Sequence, residues 1–130
     1  MKISTAGRYA VKIVVDIAKS KQFISLHDVA NTQNISYKYA EQIASKLVRA
    51  GIIYSQRGAD GGYQLSRPAE QTNILDILHA TGDVLPNISC DTTCPKKTEC
   101  AGGDVWSTLN TLINDYLSSV TIATLLKKTK

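Results

Sequence analysis

The chain is 130 residues long, 43% apolar and 20% charged, with three cysteines, a formal net charge of +4 and apolar runs far too short to span a bilayer. That length suits one domain, which buries roughly two-thirds of its unfolded surface, and the composition excludes a disordered chain and a membrane-spanning one. Charge is uneven: residues 1–70 hold ten Lys or Arg against five Asp or Glu, whereas residues 71–130 hold five against six, so positive charge collects where a polyanion-binding surface would want it.

Ala6, Tyr9, Ala10, Ile13, Val14 and Ile17 recur at i, i+3, i+4 spacing and predict an amphipathic helix capped at Ser4 or Thr5. "SLHDVANTQ" repeats the pattern with Ser25 as cap and Leu26, Val29 and Ala30 inward. "NIS" then breaks it: Asn34 tolerates a left-handed turn, Ile35 is a buried plug, and Ser36 caps the next helix. That helix, "YKYAEQIASKLVRA", sets Ala40, Ile43, Leu47 and Val48 on one face and closes at Gly51. Two short helices joined by a turn predict a helix-turn-helix. "IIYSQRGADGGYQLS" alternates, carries three glycines and an aspartate, then resumes alternation, which predicts a β-hairpin with a glycine-rich tip. A helix-turn-helix followed at once by a hairpin is a winged helix.

"NILDILHATG" predicts a short helix with Ile74, Ile77 and Leu78 inward. Residues 83–103 show no sustained period and read as a long loop, of a length that usually carries function. Beyond it, Val105, Leu109, Leu112 and Tyr116 form one ridge of a helix, with Trp106, Ile113, Leu117 and Val120 beside them, and "TIATLLKK" ends the chain in a short amphipathic turn or two. The expected fold class is therefore mainly α with a small β-hairpin wing. A winged helix-turn-helix region, 1–82, is followed by a cysteine-containing loop, 83–103, and a long helix with a tail, 104–130, in one compact domain.

If Tyr37 to Ala50 is a recognition helix, its inner face is occupied and its N-terminal outward residues are left to meet DNA: Tyr37, Lys38, Tyr39, Glu41 and Gln42. Gln42 can pair bidentately with adenine and Glu41 can accept from cytosine N4, while Lys38 and Lys46 suit phosphates. At the wing, Gly58 and Gly61 permit a tight tip and close backbone approach, and Arg57 sits where a wing enters the minor groove. Arg8, Lys2 and Arg67 are weaker candidates for backbone contacts, and Tyr9 is expected in the core. No nucleophile–base set, P-loop or dinucleotide fingerprint is present, so no enzyme is expected.

Cys90, Cys94 and Cys100 fall within eleven residues. Residues 1–20 lack the apolar region and cleavage site of a signal peptide, so the cytoplasm is the expected compartment. There thiols stay reduced, and a cluster of them points to metal or redox chemistry. Soft thiolates in one loop suit an iron–sulfur cluster or zinc, with metal-free redox thiols as a further alternative. Three thiolates leave one coordination position open, for which Asp104, Asp91 and Glu99 are near in sequence, while His79 and His27 would need the fold or another subunit to approach.

"GRYAVKIVVDIA", "ISLHDVA", "NISYKYAEQIASKLVRAGII", "RGADGGYQLSRP" and "ILDILHATGD" together resemble the Rrf-two family of bacterial transcription regulators, and the clustered cysteines followed by "VWSTLNTLINDYLSSVTIATLL" resemble its iron–sulfur, IscR-like branch. The resemblance runs from Ile3 to about Leu126. It implies a homodimer joined by the long helix, binding a palindromic double-stranded DNA operator. It also implies an iron–sulfur cluster, of the 2Fe–2S type, near the interface, through which the protein senses cluster or iron status, redox or nitric-oxide stress. The pattern departs from its relatives in the fourth ligand: Gly103 stands where the IscR pattern has histidine, and Arg8 where nitric-oxide-sensing relatives have a partner-chain aspartate. The competing readings are a small iron–sulfur redox protein, which has no use for a wing, and docking of the long helix on a partner enzyme.

Overall fold

Three helices open the chain and each starts at a serine. The structure, a computed structural model, describes residues 3–83 and 101–128, with backbone alone for 101–104. α1 (Thr5–Lys19), α2 (Leu26–Gln33) and α3 (Tyr37–Arg49) are capped by Ser4, Ser25 and Ser36, whose hydroxyls accept from the backbone N–H of Gly7, Asp28 and Tyr39. Each cap satisfies an N–H that the helix itself leaves without a partner. Between α2 and α3, Asn34 adopts the left-handed conformation (φ 55°, ψ 47°) and the Ile35 N–H donates to Ala30 O at 3.0 Å, so the turn of the helix-turn-helix is fixed by backbone bonds.

The stripe of α1 that includes Ala10, Ile13, Val14 and Ile17 is buried against Ala40, Ile43, Ala44 and Leu47 of α3 and Leu26, Val29 and Ala30 of α2. Val48, expected inward, is 38% exposed instead. At 100° per residue it stands roughly 90° round from the centre of the stripe, and Ala44 fills the inner position.

β1 (Ile53–Gln56) and β2 (Gly62–Leu65) pair antiparallel with Ile53 opposite Leu65 and Gln56 opposite Gly62. Ile52 precedes the strand, is fully buried and donates its N–H to Leu47 O at 3.0 Å, so α3 runs into the hairpin through a hydrogen-bonded turn. Ile24 and Tyr63 exchange backbone hydrogen bonds at 3.2 and 2.8 Å, which ties the hairpin to the segment between α1 and α2.

A 3₁₀ turn (Ala69–Gln71) leads to α4 (Ile74–Ala80), which buries Ile74, Ile77 and Leu78 as expected. α5 (Ala101–Ser119) begins at Ala101, so Gly102 and Gly103, expected in the loop, belong to its first turn, and the helix starts earlier than residue 104. α6 (Ile122–Lys128) packs on α1 and the 3₁₀ turn, with Ile122 fully buried. Thr72, also fully buried, donates its hydroxyl to Pro68 O at 3.1 Å and accepts the Ile122 N–H at 2.8 Å, while the Ile74 N–H donates to Val120 O at 3.0 Å. The segment expected as a tail on the long helix therefore closes the core of the first 82 residues.

Among the described residues no helix is long and apolar enough to cross a membrane. The architecture is mainly α with a two-stranded wing: a winged helix-turn-helix followed by a long C-terminal helix.

Candidate nucleic-acid interface

The first turn of α3 stands clear of the core. Tyr37, Lys38, Glu41, Gln42 and Lys46 are all exposed. Glu41, Gln42 and Lys46 line a shallow groove of about 390 Å³ with Ser45 and Arg49. Arg49 was not among the residues expected there, although its i+3 spacing from Lys46 and i+7 from Gln42 carries the signal. Tyr39 departs from the outward set: its ring is half-buried, edge-on to Tyr9 at 5.9 Å and 86°. Tyr9 in turn lies half-buried under the Lys12 ammonium, 5.2 Å from the ring centroid. Tyr37, by contrast, is stacked on His27 of α2, with centroids 4.0 Å apart and planes 15° from parallel.

The wing tip spans residues 57–61, and Arg57 and Gly58 at its start are exposed. Gly58 takes φ +120°, and a Cβ on Gly61 would overlap the Gln56 carbonyl, so the tight tip needs both glycines. The wing base is braced from the side: Phe23 packs edge-on to Tyr54 at 5.5 Å, and the Tyr54 hydroxyl donates to Gln64 Oε1 at 3.0 Å. Tyr63 of β2 has its phenol pKa raised, mainly by burial and further by Tyr37 and Glu41. Arg8 is exposed in the first turn of α1. Arg67 pairs with Asp76 at 3.5 Å across a solvent-exposed surface, a contact worth little.

Cys90, Cys94, Cys100, Asp91, Glu99 and Lys2 lie outside the described residues, as does the side chain of Asp104. His79 lines a groove with Ala50, Ile52, Arg67 and Asp76, while His27 is engaged at the start of α3. Among the described residues no group of three or more His, Cys, Asp or Glu is gathered for a metal. The boundary of the cysteine segment is well defined on one side. Asp83 accepts from the Ser4 backbone N–H at 3.2 Å, the Ser4 hydroxyl at 2.9 Å and the Thr81 hydroxyl at 3.2 Å, against the first turn of α1. On the other side α5 exposes an apolar ridge: Val105 is 58%, Leu109 37%, Leu112 61% and Tyr116 64% exposed.

A winged helix-turn-helix with a polar, solvent-facing second helix beside a glycine-tipped wing defines a DNA-binding transcription regulator. The sequence profile of the Rrf2 family, described as iron-dependent transcriptional regulators, matches residues 3–128. The chain belongs to that family. It is 34% identical over 131 residues to the transcriptional regulator IscR of Vibrio campbellii, covering 98% of this chain and 78% of that one. It is similar in structure to CymR, the global cysteine regulator of B. subtilis, with a TM-score of 0.85, 33% identity, and 100% and 99% of the two chains covered. The oxidised form of Staphylococcus aureus CymR matches with a TM-score of 0.74 and 35% identity over 97% of this chain and 96% of that one.

Proposed function

We propose that the chain acts in the cytoplasm as a homodimer that grips a palindromic duplex operator, its hold set by an iron–sulfur cluster on Cys90, Cys94 and Cys100. Residues 1–82, completed by α6, read DNA; the cysteine segment senses; α5 joins the subunits. We assign it no catalysis. The observation that carries the DNA reading is the exposed first turn of α3, with Lys38, Glu41, Gln42 and Lys46 outward, beside a wing that begins at Arg57. In helix-turn-helix docking that end of the second helix reaches base edges, and an arginine at a wing suits the minor groove.

Binding is expected to weaken steeply with salt, log K falling by about 0.9 per decade of salt for each phosphate neutralised. Arg57→Ala is expected to weaken it on the order of tenfold without changing the melting temperature. Fluorescence anisotropy on duplex DNA across a salt series checks both; a flat salt response counts against a DNA role.

The donor set suits the cluster. Three soft thiolates in a short, proline-interrupted run can wrap a 2Fe–2S centre, whose bound iron would supply sensitivity to oxygen, nitric oxide and cluster supply. Asp91, Glu99, Asp104 and His79 are the candidates for the fourth position, and an oxygen donor there would be harder and more labile than thiolate. What the chain contributes is the coupling. Asp83 is bonded to Ser4 at the head of α1, and α5 begins at Ala101, so loading at Cys90, Cys94 and Cys100 would act on both the DNA-binding unit and the subunit seam. Linkage makes this reciprocal: if loading changes DNA affinity, DNA changes loading by the same factor.

A second reading has its own support. Similarity to CymR, including its oxidised form, fits three thiols that respond to oxidation without metal, or with zinc. Anaerobic purification with absorption spectroscopy and iron, sulfide and zinc analysis decides between them. Iron with matching sulfide, lost in Cys94→Ser, supports the cluster; zinc or no metal, with reversible thiol oxidation, supports the second reading. Equal operator affinity with and without the cluster would refute regulation by it and leave DNA binding standing.

A further inference from the structure

His27 has no place in the DNA contact set read from the sequence, yet it lies against that set's first residue. It is the second residue of α2 and Tyr37 is the first of α3. Their rings are stacked at 4.0 Å and 15°, and Tyr37 remains 42% exposed. The stack does not depend on flexible chain. The Asn34 turn fixes how α2 meets α3, Val29 and Ala30 bury one helix against Ala40 and Ile43 of the other, and Ser25 and Ser36 cap both first turns.

A tyrosine in the first turn of a surface helix, with nothing beside it, samples several rotamers, and each one lost on binding costs affinity. An aromatic neighbour in a parallel stack removes that freedom beforehand. Here the ring so restrained belongs to the helix end that meets DNA, next to Lys38 and one turn from Glu41 and Gln42.

We propose that His27 is a positioning residue for DNA reading: its imidazole, stacked on Tyr37, holds the phenol in the orientation that contacts the duplex, and so sets operator affinity without touching DNA itself. This rests on the reading of α3 as the element that meets DNA. It names a determinant on the neighbouring helix that base-contact reasoning passes over.

The test uses the full-length protein, a duplex enriched from a random pool by the wild type, and a random-sequence duplex, with anisotropy as readout. His27→Ala is expected to weaken the enriched duplex about three- to tenfold, the range that the loss of one aromatic pair corresponds to, with the random duplex little changed. His27→Phe, which keeps the stack, is expected to restore wild-type affinity. In a Tyr37→Ala background, His27→Ala is expected to add nothing, because the two act as a unit.

Three results would overturn the proposal: wild-type affinity in His27→Ala, equal losses in His27→Ala and His27→Phe (a direct polar contact by the imidazole), or additive losses in the double variant. The readings separate cleanly. If Lys38→Ala, Gln42→Ala and Arg57→Ala weaken binding while His27→Ala and Tyr37→Ala do not, only the positioning role falls. If all five bind as the wild type does, the interface itself falls. Any loss of fold in His27→Ala shows in its thermal melt, and the Phe variant and the double-variant comparison then carry the decision.

Discussion

Replacing Leu112 with glutamate is expected to give a folded monomer that has lost its operator. Val105, Leu109, Leu112 and Tyr116 are spaced four, three and four apart, the spacing of a heptad seam, and all four side chains are exposed in the single chain. The C-terminal end of the helix is already used, since Leu117 packs against the core and α5 lies along α4. The ridge therefore contributes nothing to its own subunit's core, and its apolar side chains lie alongside one another on one helix face, the kind of patch that marks an interface. A carboxylate at Leu112 would have to be desolvated in the seam at a cost of several kcal/mol, enough to shift the dimer to monomers at ordinary concentrations. Loss of the second DNA-binding unit then removes the avidity of a two-site grip, about a hundredfold or more in affinity. Sedimentation equilibrium, circular dichroism and anisotropy check the three parts. Ser118→Glu, on the far side of the same helix and exposed, is the control that adds the same charge without touching the ridge. A Leu112→Glu protein that is still dimeric, or a monomer that holds the operator as tightly as the wild type, would sink the α5 seam.

The parts of this fold that could be read from the sequence are those whose causes are local. Ser4, Ser25 and Ser36 cap helices because a serine hydroxyl reaches an N–H three residues on. Asn34 turns the chain because its side chain tolerates the left-handed region, and the wing tip is written in its glycines. What was not legible depends on distant partners. The burial of Ile122 follows from its N–H reaching Thr72 O and from Ile74 bonding Val120 across the chain; the amphipathic spacing of "TIATLLKK" gives an inward face and does not say which element it meets. Gly102 and Gly103 look like a break because glycine is a poor helix former, and the helix includes them all the same. The exposed face of α3 was legible by subtraction: once the inner stripe is assigned, Lys38, Glu41, Gln42 and Lys46 are what remains. Subtraction fails where two elements meet: Tyr39, expected outward, turns toward Tyr9, and the stacking of His27 on Tyr37 follows from how α2 meets α3 and not from the pattern of either helix. Cys90, Cys94 and Cys100 stand close together in the sequence, and what they do rests on the proposal above.

Gly7→Ala is expected to destabilise the protein by about 2–3 kcal/mol, against the usual direction of that change within a helix, where alanine gains about 1 kcal/mol. The reason lies just past α4, at Asp83. A Cβ on Gly7 would overlap the Asp83 carboxylate and lie 3.1 Å from Leu78 Cδ2. That carboxylate cannot simply swing away, because it accepts from the Ser4 N–H, the Ser4 hydroxyl and the Thr81 hydroxyl, while the Ser4 oxygen also accepts from the Gly7 N–H. The glycine of "GRYA" and the aspartate of "HATGD" are thus two halves of one contact, which closes α4 onto the head of α1. Hydrogen bonds to a charged acceptor are worth about 1.5–3 kcal/mol before allowance for partial exposure, so Asp83→Ala alone should cost about 2 kcal/mol. The decisive measurement is the double variant. With the carboxylate gone, Gly7→Ala meets only a leucine methyl and should be near neutral or mildly stabilising, leaving a coupling of about 2 kcal/mol or more between the two positions. Urea unfolding of the four proteins measures it. Gly7→Ala raising the wild type's midpoint, or equal effects of Gly7→Ala in both backgrounds, would show that Asp83 does not occupy the space the glycine leaves open.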